Sequence, residues 1–321
     1  MKDQRKKIFA LGDFLYETHI DTAKDIKVIK GGGLANAMLN FLDAPVDIKI
    51  GTYGPKQIDH YIQESTNATV THSPYLYQKK LPHRIFHHYE FSTNVSSAED
   101  IVESIPNNNS DSYNIEDPFD VLYIYDHGLG FWGDEFRIQY LEDLLKSSNN
   151  KILFLDSRSP DVFFANLIHL SPYFFRKLHA NSHTFYIKAN EDEMRVLAPF
   201  LINNEELKRS QLNNLFILNT RSSNGSALCN IKTVKSKQYI NQIFSAPSPS
   251  PNILSPNNIG CGDSFCAFFL IAKYIYNLDF YQSLVMANVA GNIQASKEHQ
   301  MLQYVKVSEV LKYILDFLPK H

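Results

Sequence analysis

The chain has 321 residues, of which 44% are hydrophobic, and a formal net charge of −3. That is enough apolar material for a sizeable core, and the weak acidity gives no reason to expect nucleic acid or an anionic membrane surface as a partner. Cys229, Cys261 and Cys266 contain neither a metal-ligand pair nor a disulfide framework, which points to a reduced, cytoplasmic setting.

The basic start MKDQRKK is followed by a short strand-like run, Lys7–Gly12, and reads neither as a signal peptide nor as a membrane span. Further runs at Val46–Thr52, Val121–Tyr125, Ile152–Asp156, Thr184–Ile187 and Leu215–Asn219 are short and β-branched or aromatic, with polar or glycine residues at their ends, as buried strands are. Stretches with helical spacing, such as Gln139–Ser147 and Glu191–Leu201, lie between several of them. This alternation predicts an α/β fold with a mainly parallel central sheet covered on both faces, and ligands gather beyond the carboxyl ends of such strands. Asp13, Asp126, Asn190 and Thr220 all fall there.

Gly31-Gly32-Gly33-Leu34-Ala35-Asn36 opens a helical stretch that runs to about Phe41. Tyr75–Phe91 alternates bulky and polar residues without a helical period, which predicts strands of a small separate sheet. Ser245–Asn258 carries Pro247, Pro249, Pro251 and Pro256 and reads as a rigid extended approach to the run Asn258–Phe265.

That run, Asn-Ile-Gly-Cys-Gly-Asp-Ser-Phe, carries the chemistry. The apolar stretch Phe265–Tyr276 is expected to be helical, with Gly260, Cys261 and Gly262 in its first turn. Unpaired backbone N–H groups and the positive end of the dipole make such a turn an anion site, and glycine lets a phosphate come close. Asp263 would repel that phosphate unless it takes a proton from an attacking hydroxyl, although the dipole alone also favours an acid there. The Cys261 side chain is either a thiolate stabilised by the helix start or a small packing group.

The run resembles the Gly-Ala-Gly-Asp signature of the PfkB/ribokinase family of carbohydrate kinases. Gly12-Asp13 and Gly31-Gly32 with Asn36 are similar to that family's first sugar-binding elements. Asn190 with Glu193 resembles its Asn-x-x-Glu element, Thr220–Ser226 its nucleotide segment, and Ala287–Lys297 its helix beside the adenine. The resemblance implies a ribokinase-like three-layer sandwich, a single domain over 1–321, with a β lid from about 14–30 and 75–98. It implies ATP-dependent phosphorylation of a hydroxyl on a sugar or sugar phosphate, with Asp263 as general base and Gly260, Cys261 and Gly262 as the anion hole. Asp13, Gly31, Gly32, Asn36 and Asp126 would bind the acceptor. Asn190, Thr220, Gly225 and Asn288 would lie along the nucleotide, and Glu193 would act through water on Mg²⁺. A homodimer through the lid is expected, with no nucleic acid or membrane partner.

Glu17, Gln78–Phe91 and Tyr125–Gly130 are similar to the heptose-phosphate kinase branch. There Lys79, Lys80, His83, Arg84, His87 and His88 would either bind a phosphate already on the sugar or form a solvated charged face. The chain departs from the family at Asn257, Asn258 and Ile259, where residues around a monovalent cation are usual, and at Ser222, where glycine is usual. These departures keep open a kinase-like regulatory protein that binds nucleotide or sugar without full turnover. Gly31–Gly33 lacks the Gly-x-Gly-x-x-Gly spacing of a dinucleotide oxidoreductase. Because Asn257 and Ile259 offer no acid or hydroxyl to a cation, activity is expected to differ little among potassium, sodium and a bulky organic cation at equal ionic strength. A large potassium-specific increase would mean that backbone carbonyls alone build such a site.

Overall fold

The computed structural model describes residues 5–12, 14–23, 25–52, 62–63, 68–72, 76–78, 83–89, 92–99, 104–106, 118–126, 135–147, 152–171, 183–209, 214–234, 237–249, 260–297 and 304–317. In chain order these form β1 (Lys6–Gly12), β2 (Phe14–Asp21), β3 (Ile26–Gly33), α1 (Leu34–Leu39), β4 (Val46–Thr52), β5 (Thr69–His72), β6 (Leu76–Gln78), β7 (His83–Tyr89), β8 (Ser92–Glu99) and β9 (Ser104–Pro106). There follow β10 (Val121–Asp126), α2 (Glu135–Ser147), β11 (Ile152–Ser157), α3 (Pro160–Leu170), β12 (Thr184–Asn190), α4 (Glu191–Asn203), α5 (Glu205–Arg209) and β13 (Leu215–Thr220). The chain continues through β14 (Ser226–Val234), β15 (Lys237–Ala246), α6 (Cys261–Leu270) with a π turn at Ile271–Ile275, α7 (Phe280–Ser296) and α8 (Val307–Phe317).

A nine-stranded sheet runs in the order β15-β14-β13-β12-β11-β10-β1-β4-β5. The strands from β13 to β5 are parallel, and β14 and β15 add an antiparallel hairpin at one edge. One apolar cluster packs α1, α6, α7 and α8 on one face, and a second packs α2, α3, α4 and α5 on the other, which gives three layers. From β1 the chain moves outward to β4 and later returns to β10 on the opposite side, so the carboxyl ends of β1 and β10 form a topological switch point. The two strands touch closely there. A Cβ built on Gly12 would stand 2.5 Å from the Tyr125 carbonyl oxygen. A four-stranded sheet in the order β3-β2-β7-β8 and a two-stranded pair of β6 and β9 lie outside the main sheet. Among the described residues no helix is long and apolar enough to cross a membrane.

The expected strands appear with small extensions, and two features go beyond them. The hairpin β14–β15 has too many polar positions to show as an apolar run. β12 continues past Ile187 through Lys188 to Asn190, because Lys188 finds partners inside the protein.

The middle of the sheet is set by a row of aromatic side chains. Tyr123, Phe154, Tyr186 and Phe216 are direct neighbours on β10, β11, β12 and β13. Tyr123 stacks on Phe154 at 5.4 Å, Phe154 on Tyr186 at 6.3 Å and Tyr186 on Phe216 at 5.5 Å. Phe269 of α6 meets both Phe154 and Tyr186, so the row also seats the helix above it. Offset and edge-on rings contribute beyond their buried area. Phe154→Ala is therefore expected to destabilise by about 3–5 kcal/mol, and Phe154→Leu clearly less. Denaturant unfolding of the three proteins checks this; equal losses would mean that bulk burial, not ring stacking, holds the row.

Candidate active site

Gly260 is the residue before α6, with φ 78°, a left-handed conformation that costs other residues more than glycine. Ser264 N–H donates to the Gly260 carbonyl at 3.0 Å and so begins the helical ladder. Gly260 has no side chain with which to cap this end of α6. The turn rests on α7, where Gln294 Nε2 would stand 3.2 Å from a Cβ on Gly260, and Gly291 lies under the Cys261 carbonyl. A helix start leaves its first backbone N–H groups without intrahelical acceptors, and here glycine clears the approach on both sides of Cys261. Asp263, buried, stands in this first turn.

The next pleat beyond the aromatic row carries Tyr125, Asp156 and Lys188 as direct neighbours on β10, β11 and β12. Side chains alternate faces along a strand, so these three share the row's face and meet the start of α6. Lys188 Nζ would lie 3.5 Å from a Cβ on Gly262, which puts an ammonium against the anion turn. It faces Asp156 Oδ1 at 3.5 Å and Glu193 Oε2 at 3.7 Å. Burial by itself would lower the lysine's pKa, but Asp156 and then Glu193 outweigh it and hold the group above its usual value. Lys188 is therefore a permanent cation. Asp156, fully buried, also accepts the Tyr123 hydroxyl at 3.0 Å and a hydrogen bond from Cys266.

On the second-sheet side, Glu17 of β2 is buried and accepts from Asn36 Nδ2 at 3.1 Å, with His19 Nε2 at 3.1 Å from the same oxygen. Tyr125 joins the two halves. Burial pushes its phenol well above the usual value, and the charges of Asp263, Asp156 and Glu17 add to the rise. At the end of β10, Asp126 is buried and accepts from Ser157 Oγ at 2.9 Å. Gly31 and Gly32 lie in β3, paired with Tyr16 and Leu15 of β2, rather than in a loop. Asp13 lies outside the described residues, as do the departures at 257–259 and the residues 79–80 and 127–130.

Asn190 and Glu193 form a capping box at the start of α4: Asn190 Oδ1 accepts from Glu193 N–H at 2.8 Å, and Glu193 Oε2 accepts from Asn190 N–H at 2.7 Å. The spacing Asn-x-x-Glu is itself the signature of that cap, a signal the sequence carries alongside the family one. Thr220 pairs with Asn190 in register, so both stand at the same edge. Gly225 has φ 81°, and a Cβ there would lie 2.1 Å from the Ala246 carbonyl oxygen. Asn288 Nδ2 donates to the carbonyls of Ala246 and Pro247, each at 3.1 Å. Gly225 and Asn288 thus press on one short segment from opposite sides. Among the described residues no cluster of three or more His, Cys, Asp or Glu could hold a metal directly.

Lys188, His19 and Asn40 are the site residues that sequence reasoning did not single out as binding groups, whereas Glu17 was noted through the heptose-phosphate resemblance. Of the three, Lys188 leaves a sequence signal, being an ionisable residue inside an otherwise apolar strand.

No protein-family model matches the sequence, and no curated protein matches it. Solved structures do. The chain is similar to a fructokinase with bound ATP from Xylella fastidiosa, 13% identical over 98% of this chain and 99% of that one, with a TM-score of 0.61. It is similar to a ribokinase from Thermotoga maritima, 11% identical over 96% and 99%, with a TM-score of 0.58. It is also similar to the ribokinase of Arabidopsis thaliana complexed with ribose and ATP, 13% identical over 96% and 98%, with a TM-score of 0.55. The fold is ribokinase-like.

Cys261 does not become a reactive thiolate. Burial pushes its thiol up to about 12, and the charge of Asp263 adds to the rise, against the pull of the helix start. At pH 8 roughly one molecule in 10⁴ then carries the thiolate. Brief treatment with an alkylating reagent at that pH is expected to leave Cys261 unmodified, as peptide mass mapping would read. Rapid labelling that bound nucleotide prevents would contradict this packing role.

Proposed function

We propose that this protein is a carbohydrate kinase of the PfkB/ribokinase type, transferring a phosphoryl group from ATP to a hydroxyl of a sugar or sugar phosphate. The single observation that carries the reading is the juxtaposition of a glycine helix start, a buried carboxylate in its first turn and a charged lysine against it. The fold neighbours solved with ATP, or with ribose and ATP, support the same two ligands.

In this reading the acceptor lies at the switch point, with Asn36, Glu17 and Asp126 on its hydroxyls and the backbone of Gly31 and Gly32 beside them. Asp13 would join them at the end of β1. The second sheet, β3-β2-β7-β8, serves as the lid. Asp263 takes the proton of the attacking hydroxyl as its oxygen bonds to phosphorus and the bond to the ADP oxygen breaks. The N–H groups of the Gly260–Gly262 turn and the Lys188 ammonium meet the charge on the moving phosphoryl group. Thr220, Gly225 and Asn288 border the nucleotide, the last two by shaping the Ala246–Pro247 segment. The residues present suit a Mg²⁺ carried by nucleotide phosphates and reached from Glu193 through water, because that ion keeps several of its waters. When bound it neutralises phosphate charge. A cytoplasmic setting and a dimer through the lid belong to the same proposal.

The heptose-phosphate resemblance rests in part on residues 79–80 and 127–130, outside those described, and no comparison singles out that branch, so the panel of acceptors must include sugars and sugar phosphates. ADP release across that panel tests the reading. Asp263→Asn is expected to lower turnover by roughly 10²- to 10⁴-fold while ATP still binds. Lys188→Met is expected to reduce turnover too, with weaker ATP binding. No ADP release with any acceptor, alongside measurable nucleotide binding, would favour the regulatory alternative; parent-rate turnover by Asp263→Asn would remove Asp263 as the base.

A further inference from the structure

Asn40 follows α1 directly and is 4% exposed. Its carboxamide is used on both sides. Nδ2 donates to the Asn36 carbonyl at 3.1 Å, while Oδ1 accepts from Ser264 Oγ at 2.9 Å and from the Val305 backbone N–H at 3.3 Å. Ser264, 1% exposed, is the residue after Asp263. One buried amide therefore connects the helix that carries Asn36, the first turn that carries Asp263 and the segment just before α8.

An apolar pair here would pack without the cost of desolvating polar atoms. It would also slide, because dispersion contacts are weakly directional, whereas a hydrogen bond fixes both separation and angle. α1 is short; Asn36 ties it to Glu17 of the second sheet, and Asn40 at its end ties it by a directional contact to Ser264 of α6. We infer that the Asn40–Ser264 hydrogen bond is a positioning device that fixes the acceptor-binding helix relative to the Asp263 carboxylate. This rests on the kinase reading.

The geometry demanded of an attacking hydroxyl is strict, since a misplacement of about 1 Å costs on the order of 10²-fold in rate. Losing one bond of this bridge shifts the helices less. Ser264→Ala is expected to lower kcat on the order of 10-fold with the KM values for acceptor and ATP nearly unchanged. Asn40→Ser should do the same, and the double variant should lose little beyond either single one, as members of one interaction do. Melting temperatures measured alongside separate this from simple destabilisation. Unchanged kcat in Ser264→Ala, or losses that multiply in the double variant, would overturn the inference. If the parent phosphorylates nothing in the panel, the kinase reading fails by that result alone, and calorimetry with D-ribose and ADP reads the bridge instead. Coupling between the two ligands in the parent that vanishes in Ser264→Ala supports it; equal coupling in both, or none in the parent, overturns it.

Discussion

The registry of four aromatic rings across β10, β11, β12 and β13 is the constraint on which the rest of this molecule depends. A slip of one residue in any of these strands would turn its whole side-chain set to the opposite face. With Tyr123, Phe154, Tyr186 and Phe216 locked side by side, the next pleat must bring Tyr125, Asp156 and Lys188 together on the same face. Phe269 then seats α6 against that face, so its glycine start meets Lys188. The site is a consequence of strand register before it is a consequence of any loop.

Charge is arranged with comparable economy. A buried lysine between acids is costly if any member is removed, because the remaining charges stay in a dry place without a partner. Lys188 faces Asp156 and Glu193 at 3.5 and 3.7 Å, longer than close ion pairs, so its hydrogens are not wholly committed to either carboxylate. In the proposed kinase, that leaves the cation able to serve a visiting anion as well. Asp156 is in turn held by the Tyr123 hydroxyl, a member of the aromatic row, so the packing and the electrostatics share a side chain.

Several residues serve the architecture and the site at once. Asn190 and Glu193 cap α4 while Glu193 stands beside Lys188. Gly225 and Asn288 fix the chain where it leaves β15, from which it runs toward the glycine turn. Asn36 ties α1 to the second sheet through Glu17, and Asn40 ties the same helix to α6.

Much was legible in the amino-acid order alone. Short apolar runs separated by helical stretches specify a parallel α/β sheet, since period-two and period-3.6 burial are local properties of the chain. The glycine run with Asp263 could be placed at a helix start for the same reason: backbone conformation and dipole act within one turn. Asn36, Asp126, Asn190 and Thr220 could be assigned to strand ends or helix starts, which is likewise a local matter. The thiol of Cys261 could not be read locally, because the dipole's pull was opposed by burial and by Asp263, and burial is set by the whole fold. The apolar run in the sequence stops at Ile187, and β12 runs on through Lys188 because Asp156, 32 residues earlier in the chain, gives it a partner. The bond from Asn40 to Ser264 spans 224 residues. Local sequence determines which elements form and where their polar ends lie; which of those ends meet depends on strand order and register, and these are decided only when distant segments pack.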